Sequence, residues 1–391
     1  MRLGLNLGYW GAGNDQTNVT LAEEADRLGY SVAWVAEAYG SDSPTVLSWV
    51  GARTQRIHLG AAVMQIPART PAMTAMTAAT LDSLSGGRFR LGLGVSGPQV
   101  SEGWHGVRFD APLGRTREYV DIVRMALRRD VVSYEGRHFT LPLPDGPGKA
   151  LKLGVRPVRD GQIPIYLAAV GPKNLELTGE IADGWLAIFF SPEFAGDLVG
   201  SLETGARRAG KGADGTAPLA GFDIVPTVPV VVTDDLDYAY AAVAGYAALY
   251  IGGMGSREKN FYNQLACRMG FEKEAKLIQD LYLDGKASDA AAAVPREFLD
   301  ATEPARATRA DPGPVGGIPG GRGDHPVGRA LRAVDGAPAR HRSHGWPRSA
   351  QEAGSRLIAS CQTSATSSRS SSASSRASPS SCPCRPPGTS R

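Results

Sequence analysis

The amino-acid sequence predicts an α/β protein built as a (β/α)8 TIM barrel with insertions, its closing strand missing, and a disordered C-terminal tail. Two features carry this expectation. Apolar runs of about four to eight residues alternate with longer segments of helical period along the first 300 residues. Val and Ile are frequent in many of these runs, as in strands buried on both faces. Steady alternation of strand and helix requires parallel pairing with crossover helices, which leaves a doubly wound sheet or a closed barrel. Seven repeats in about 250 residues, with one insertion, favour the barrel.

The first run is Leu3 to Leu7, followed by a helix from about Val19 to Leu28 with Ala22, Ala25 and Leu28 on one face. Next come "SVAWVAEA", a helix after Pro44, "IHLGAAVM", a helix over Pro71 to Leu84, and "RFRLGLGV". In the helix over Pro71 to Leu84, Met73, Met76, Ala79 and Leu84 read as packing residues rather than as a cofactor box. A helix from Gly114 to Arg128 has Tyr119, Ile122, Val123, Ala126 and Leu127 as its apolar stripe. The beat then breaks. "VSYEGRHFTL" reads as a small hairpin, and "LPDGPGKALKLGVRP" is too rich in Gly and Pro for a barrel element. Alternation resumes with "IPIYLAAV", a helix from Lys173 to Ile181, "GWLAIFF", a helix over Pro192 to Ala209, and "IVPTVPVVVT". Asp234 and Asp235 start an Ala-rich helix that reaches Ile251.

The net charge of +3 conceals two unlike pieces. Residues 301–391 hold 13 Arg, no Lys and five acids, a charge of +8, which leaves −5 for residues 1–300. With one aromatic residue and long Ser, Pro and Gly stretches, this tail buries too little apolar surface to offset chain entropy. Two origins compete: a natural basic extension, and a reading frame shifted near Asp300. The second is favoured, because a soluble barrel without its last strand leaves two sheet edges unpaired. Charge without interleaved aromatics or a fold argues against nucleic-acid binding. No apolar stretch long enough for an export signal or a membrane span is seen, so a cytoplasmic location is expected. Cys267 is the one Cys before residue 301, which excludes a disulfide framework and a structural zinc site there.

Gly92, Gly94 and Gly97 spell G-x-G-x-x-G after a strand. A dinucleotide fingerprint needs its last Gly to open a helix, and "QVSEGWHG" after Pro98 has no helical apolar period. In a barrel the same residues form a backbone-lined wall at the strand's carboxyl end, where active sites lie. Other runs also end in small or polar residues: Gly8, then Glu37 and Ala38, then Ala62 to Met64, then Ala169 to Asn174. Gly171 and Pro172 start a helix with Lys173 and Asn174 in its first turn, a combination of free N–H groups and an ammonium suited to phosphate.

The stretches "LGLNLGYWG", "AEEADRLGYSVAWVAEAYG", the run from Arg56 to Gly106 and "REYVDIVR" resemble the bacterial luciferase-like flavin and deazaflavin oxidoreductases. The likeness is to the coenzyme F420-dependent, methylenetetrahydromethanopterin reductase-like branch, and it covers about residues 1–300. It implies a TIM barrel that uses F420 to donate or accept a hydride. It further implies that Ala62, Val63 and Met64 match a strand-three bulge against the deazaflavin, with a cis bond at Ala62–Val63. Ser96, Gly97, Pro98 and Gln99 match the loop beside the ring. Ala169, Val170, Gly171, Lys173 and Asn174 match the segment that holds the cofactor's phosphate, and Gly8 lies at the same rim.

One departure matters. Several relatives carry an acidic residue followed by His at the end of strand two, whereas this chain has Glu37 and Ala38. His105 is the replacement candidate for general acid or substrate contact, since imidazole titrates near working pH, with Glu37 a weaker candidate. Trp10 and Trp104 are candidate walls for an apolar substrate, and Glu102 a further contact. The expected function is hydride transfer between the deazaflavin C5 and a small organic substrate with a C=N or C=C bond, in a homo-oligomer, most simply a dimer. The alternatives are an FMN-dependent monooxygenase and a non-catalytic flavin-binding protein. No metal, nucleic acid or membrane partner is expected.

Overall fold

A computed structural model describes residues 2–10, 15–159, 162–231 and 233–302. The strands are β1 (Gly4–Asn6), β2 (Val32–Val35), β3 (His58–Ala61), β4 (Met64–Gln65), β5 (Phe89–Gly94), β6 (Val131–Val132), β7 (Tyr134–Glu135), β8 (Thr140–Leu141), β9 (Leu151–Lys152), β10 (Ile165–Ala168), β11 (Gly184–Ala187) and β12 (Asp223–Pro226). The helices are α1 (Asp15–Arg27), α2 (Ser43–Arg53), α3 (Pro71–Leu84), α4 (Pro98–Gly103), α5 (Pro112–Leu127), α6 (Pro172–Ile181), α7 (Ala195–Arg208), α8 (Leu236–Ala248), α9 (Phe261–Arg268), α10 (Glu272–Leu283), α11 (Ala287–Ala292) and α12 (Arg296–Thr302).

Seven parallel strands run in the order β1-β2-β3-β5-β10-β11-β12, with β4 beside β5. Each strand neighbours the next in chain order, so the sheet curls as a TIM-barrel-like fold with helices outside. A salt bridge from Arg2 before β1 to Asp223 on β12, at 3.4 Å, spans the gap between the first and last strands. The stretch expected to lack a closing strand lies outside the described residues from 303 onward, as does the Arg- and Ser-rich tail. Among the described residues, no helix is long and apolar enough to cross a membrane.

All four residues of β2 and all six of β5 are buried, because helices cover one face and barrel filling the other. Inside, Trp34 and Tyr166 meet edge to face at 5.3 Å, with Val32 and Leu186 around them. Gly60 and Gly184 make room for these rings: a Cβ at either would lie 2.2 Å from Trp34 or 2.4 Å from Tyr166. One outer core joins the first strands to α1, α2, α3 and α5, and a second joins β11 to α6, α7, α8 and the helices after it.

Three expectations are corrected. A helix does follow Gly97: Pro98 opens α4, whose one buried residue, Ser101, is held by the Val107 carbonyl at 2.7 Å. So short a helix needs no apolar period. The strand expected over "IVPTVPVVVT" stops at Pro226, since Pro226 and Pro229 lack the N–H that a ladder needs. Along α3, Ala75, Ala78, Ala79 and Leu81 turn inward, while Met73, Met76 and Leu84 are 50%, 50% and 75% exposed. The proposed packing stripe had mixed two faces of one helix.

At the amino ends of the strands, Arg90 donates to the Tyr166 hydroxyl (2.6 Å) and Asp223 (3.2 Å), and His58 Nδ1 is buried without a partner. Burial, reinforced by Arg90, Arg159, Arg88 and Arg2, lowers the His58 pKa from 6.5 to about 4. The unfolded chain therefore takes up this proton first. The stability gained by keeping His58 neutral is full above pH ~6.5 and is lost as pH falls toward 4. Thermal unfolding across this window should show a shallower acid slope for His58→Gln than for the parent; equal slopes would contradict the assignment.

Candidate active site at the carboxyl ends of the strands

The strand ends are tied together by a buried ion pair. Glu37, just after β2, receives both terminal nitrogens of Arg69, at 2.6 and 2.9 Å, with side chains 5% and 13% exposed. Each carboxylate oxygen takes a backbone donor as well, Ser43 N at 3.0 Å and Gln65 N at 3.3 Å. Arg69 also donates to Asp42, the N-cap of α2, and burial of its guanidinium is outweighed by Glu37 and Asp42, so its pKa is raised. The Arg69 carbonyl accepts the Tyr119 hydroxyl at 3.1 Å, and burial pushes that phenol up to about 12.

From this brace the chain runs through the turn where β3 breaks. The Ala62–Val63 peptide bond is cis, and Met64 and Gln65 resume pairing with Leu93 and Gly94 of β5. Gly94 permits this, since a Cβ there would stand 2.6 Å from Val63 Cγ2. Gln65 links three strand ends: its amide nitrogen donates to Ala38 O (2.6 Å), and its amide oxygen accepts from Ser96 (3.0 Å). Ser96 has φ 61, a left-handed conformation unusual for a residue with a side chain. Gly97 follows with little around it, as a Cβ there would meet only Gln99 Oε1 at 3.7 Å. Gly8, at φ 63, lies two residues past the end of β1, and its carbonyl accepts from Ala36 N.

On the neighbouring β10, the Ala169 carbonyl accepts Trp185 Nε1 at 2.9 Å, and Asn174 Nδ2 lies 3.5 Å from Ala168 O. Gly171 caps α6 without a side-chain hydrogen bond, and space for a Cβ beside it is open. The N–H groups of Lys173 and Asn174 lie in that first turn, where a helix offers its donors no intrahelical partner, as an anion site requires. Lys173, however, directs its ammonium to Glu176 (2.8 Å). The cation that reaches this loop is Arg268 at the end of α9, which donates to Val170 O at 3.1 Å.

The structure thus brings Glu37, Ala62, Val63, Met64 and Ser96 to one rim, through Gln65. Ala169 to Asn174 follow β10, the strand beside β5. The other candidates are more dispersed. His105 Nε2 is buried without a partner on the loop after α4. Trp104 beside it is 66% exposed, and Glu102 accepts from Phe109 N. Gln99 is exposed, and Pro98 opens α4. Trp10 packs against the outer core, its Nε1 buried without a partner, and lines a groove of about 490 Å³ between α1 and α2. Among the described residues, no group of three or more His, Cys, Asp or Glu could hold a metal. Gln65, Arg69 and Arg268 escaped the sequence reading; only the polar Gln65 within an apolar run hinted at a role.

Replacing Glu37 by Ala leaves the Arg69 guanidinium buried beside the exposed Asp42 alone, a loss of about 3 kcal/mol. Urea unfolding should show this. The double variant Glu37→Ala, Arg69→Ala should lose less than the two single losses combined. Strict additivity would show that the pair is not coupled.

The family model described as luciferase-like monooxygenase matches residues 10–305. A Mycobacterium tuberculosis protein designated a coenzyme F420-dependent oxidoreductase is 47% identical over 305 residues, covering 77% of this chain and 86% of its own length. The 5,10-methylenetetrahydromethanopterin reductase of Archaeoglobus fulgidus is 32% identical over 236 residues, 60% of this chain and 65% of that protein. The solved structure of the coenzyme F420-dependent tetrahydromethanopterin reductase from Methanopyrus kandleri superimposes with a TM-score of 0.64 at 24% identity, over 77% of this chain and 85% of that one, a likeness of fold. By the extent of the family match and of the mycobacterial relative, this chain belongs to the luciferase-like monooxygenase family.

Proposed function

We propose that this chain is an F420-dependent oxidoreductase that moves a hydride between the deazaflavin C5 and a small organic substrate carrying a C=N or C=C bond. The carrying observation is the Gln65 bridge, which gathers the Ala62–Val63 turn and the Ser96 loop at one rim. The kinship with a protein designated F420-dependent supports the choice of cofactor. The residues present fit such a group: the space beside Gly97 and Gly171 is open, so a ligand could approach their backbone, and the α6 amides suit an anionic tail.

When bound, F420 would supply the hydride chemistry, while the protein supplies binding, orientation and a proton. Ala62, Val63 and Met64 would hold one face of the ring. Gly8 and the stretch from Ser96 to Gln99 would border it, and Ala169 to Asn174 would hold the tail. Lys173 would exchange Glu176 for that tail, and Arg268 would add a second cation. Glu37 acts as a positioning residue, because both its oxygens are committed to Arg69 and backbone donors. His105, with Nε2 lacking a protein partner, is the candidate to hold the proton. Trp10, Trp104 and Glu102 are candidate substrate contacts. The family description favours a second reading, an FMN-dependent monooxygenase.

Titrating the protein with F420 and with FMN, followed by tryptophan fluorescence, separates the two. Saturable binding of F420 alone is expected, whereas saturation by FMN alone would overturn the proposal. His105→Asn should leave F420 affinity unchanged and lower kcat on the order of 100-fold. An unchanged kcat would remove His105 from the mechanism.

A further inference from the structure

We infer that the amino end of the barrel holds a binding site for a small inorganic anion of the halide class, set between Arg90 and His58 on the inner faces of β5 and β3. Gly60 pairs with Arg90 across these strands, and a Cβ at Gly60 would strike Trp34 inside the barrel. By strand alternation His58, Gly60 and Arg90 therefore all face the interior. Arg90 is 8% exposed. Its Nη1 serves the Tyr166 hydroxyl and Asp223, while its Nε is buried with no protein partner. His58 Nδ1 is buried and unpartnered too, and Arg90 is the charge that acts on His58 most strongly. A guanidinium N–H is a donor at every working pH, and a buried one is costly to leave unmet.

Charge selects an anion over a water. Arg90, Arg159, Arg88 and Arg2 all act on His58. Asp223 answers Arg2 and Arg90 together, at 3.4 and 3.2 Å, and Asp82 answers Arg159 at 2.8 Å. The Tyr166 hydroxyl is taken by Arg90 and Asp223, and burial keeps it neutral. Arg88 donates to the Thr54 hydroxyl and to the carbonyls of Gly51, Thr54, Ile57 and Ser85, all neutral acceptors. The carboxylate that acts on Arg88 is Asp26, which accepts from the N–H groups of Gln55, Arg56 and Ile57 and has the Arg56 cation beside it. With Arg56 included, five guanidiniums stand against three carboxylates at this end. A water would satisfy Arg90 Nε and leave the surplus of positive charge, whereas an anion meets both.

The surroundings set the size and the route. Trp34 and Tyr166 close the interior with Val32 and Leu186 packed around them, which excludes a bulky anion. Entry lies along the gap between β1 and β12, where the side chains of Arg2 and Asp223 are 64% and 27% exposed. His58 couples occupancy to pH. Without the anion, burial and the neighbouring cations hold its pKa at about 4. A negative charge beside Nδ1 favours the imidazolium, so the site tightens as pH falls below 6.5, and by linkage the bound ion offsets part of the stability lost on acidification. The ion would join β3 to β5 through one shared charge. The site lies at the end of the barrel opposite the rim, and it rests on neither the cofactor nor the proposed reaction.

Thermal unfolding of the full chain in sodium chloride and in sodium gluconate, at equal ionic strength, tests it. Screening is the same in both salts, and gluconate is too bulky for the site. At about pH 5 the chain should unfold at a higher temperature in chloride, and chloride titration should give an affinity on the order of tenfold higher than at about pH 7.5. Arg90→Lys keeps a cation for Asp223, removes the Nε donor and should abolish the chloride effect. His58→Gln should keep a chloride effect and lose its pH dependence. Equal unfolding temperatures in the two salts at about pH 5 would overturn the inference. So would a chloride effect that persists in Arg90→Lys, or a pH dependence that persists in His58→Gln. The variants are independent, so if Arg90→Lys does not fold, His58→Gln decides.

Discussion

The rim of this barrel depends on one buried pair, Glu37 with Arg69. Taking two charges out of water costs more than their attraction returns unless every lone pair and donor is used. Here Ser43 N, Gln65 N and Asp42 complete the set. Such a pair adds little net stability. Its value is in registry, because it fixes the end of β2, the break after β3 and the heads of α2 and α3 relative to one another. Gln65 then carries that registry to Ser96 at the end of β5. A rim assembled in this way presents backbone and small side chains in a set arrangement, as recognition of a flat ring requires.

The two ends of the barrel divide the work. The interior is closed by Trp34 and Tyr166, and beneath them Arg90, Tyr166 and Asp223 form a hydrogen-bonded plug that Arg2 joins to β1. Residues at this end serve stability, and the opposite end is left free for glycine, alanine and serine. The outer surface is divided too. Most outer helices carry intrahelical or interhelical ion pairs, such as Arg117 with Glu180, while α2 and α3 present neutral apolar faces.

Much of the fold was legible because buried parallel strands and amphipathic helices have distinct periods; the Pro71 to Leu84 helix matches in both boundaries. The hairpin at Tyr134 to Leu141 was legible from its turn chemistry. What escaped depends on contacts distant in sequence. Arg69 lies 32 positions from Glu37, and nothing in the intervening residues marks the pairing. Arg268 comes from α9, far along the chain from the Val170 carbonyl that it contacts. Lys173 was legible as a cation at a helix start, but its direction was not, because Glu176 three residues on captures it. Met73 and Met76 were read as packing because apolar residues on a helix usually face their own core; these two face out.

The account holds that three separate stretches, Ala62 to Gln65, Gly94 to Gln99 and Ala169 to Asn174, line one ligand. Amide deuterium exchange of the full chain with and without F420 tests this most directly. Concerted slowing in all three stretches, with the foot of the barrel around His58 and Asp223 unchanged, is the result expected. Slowing confined to one stretch, or none in any of them at saturating F420, would contradict it.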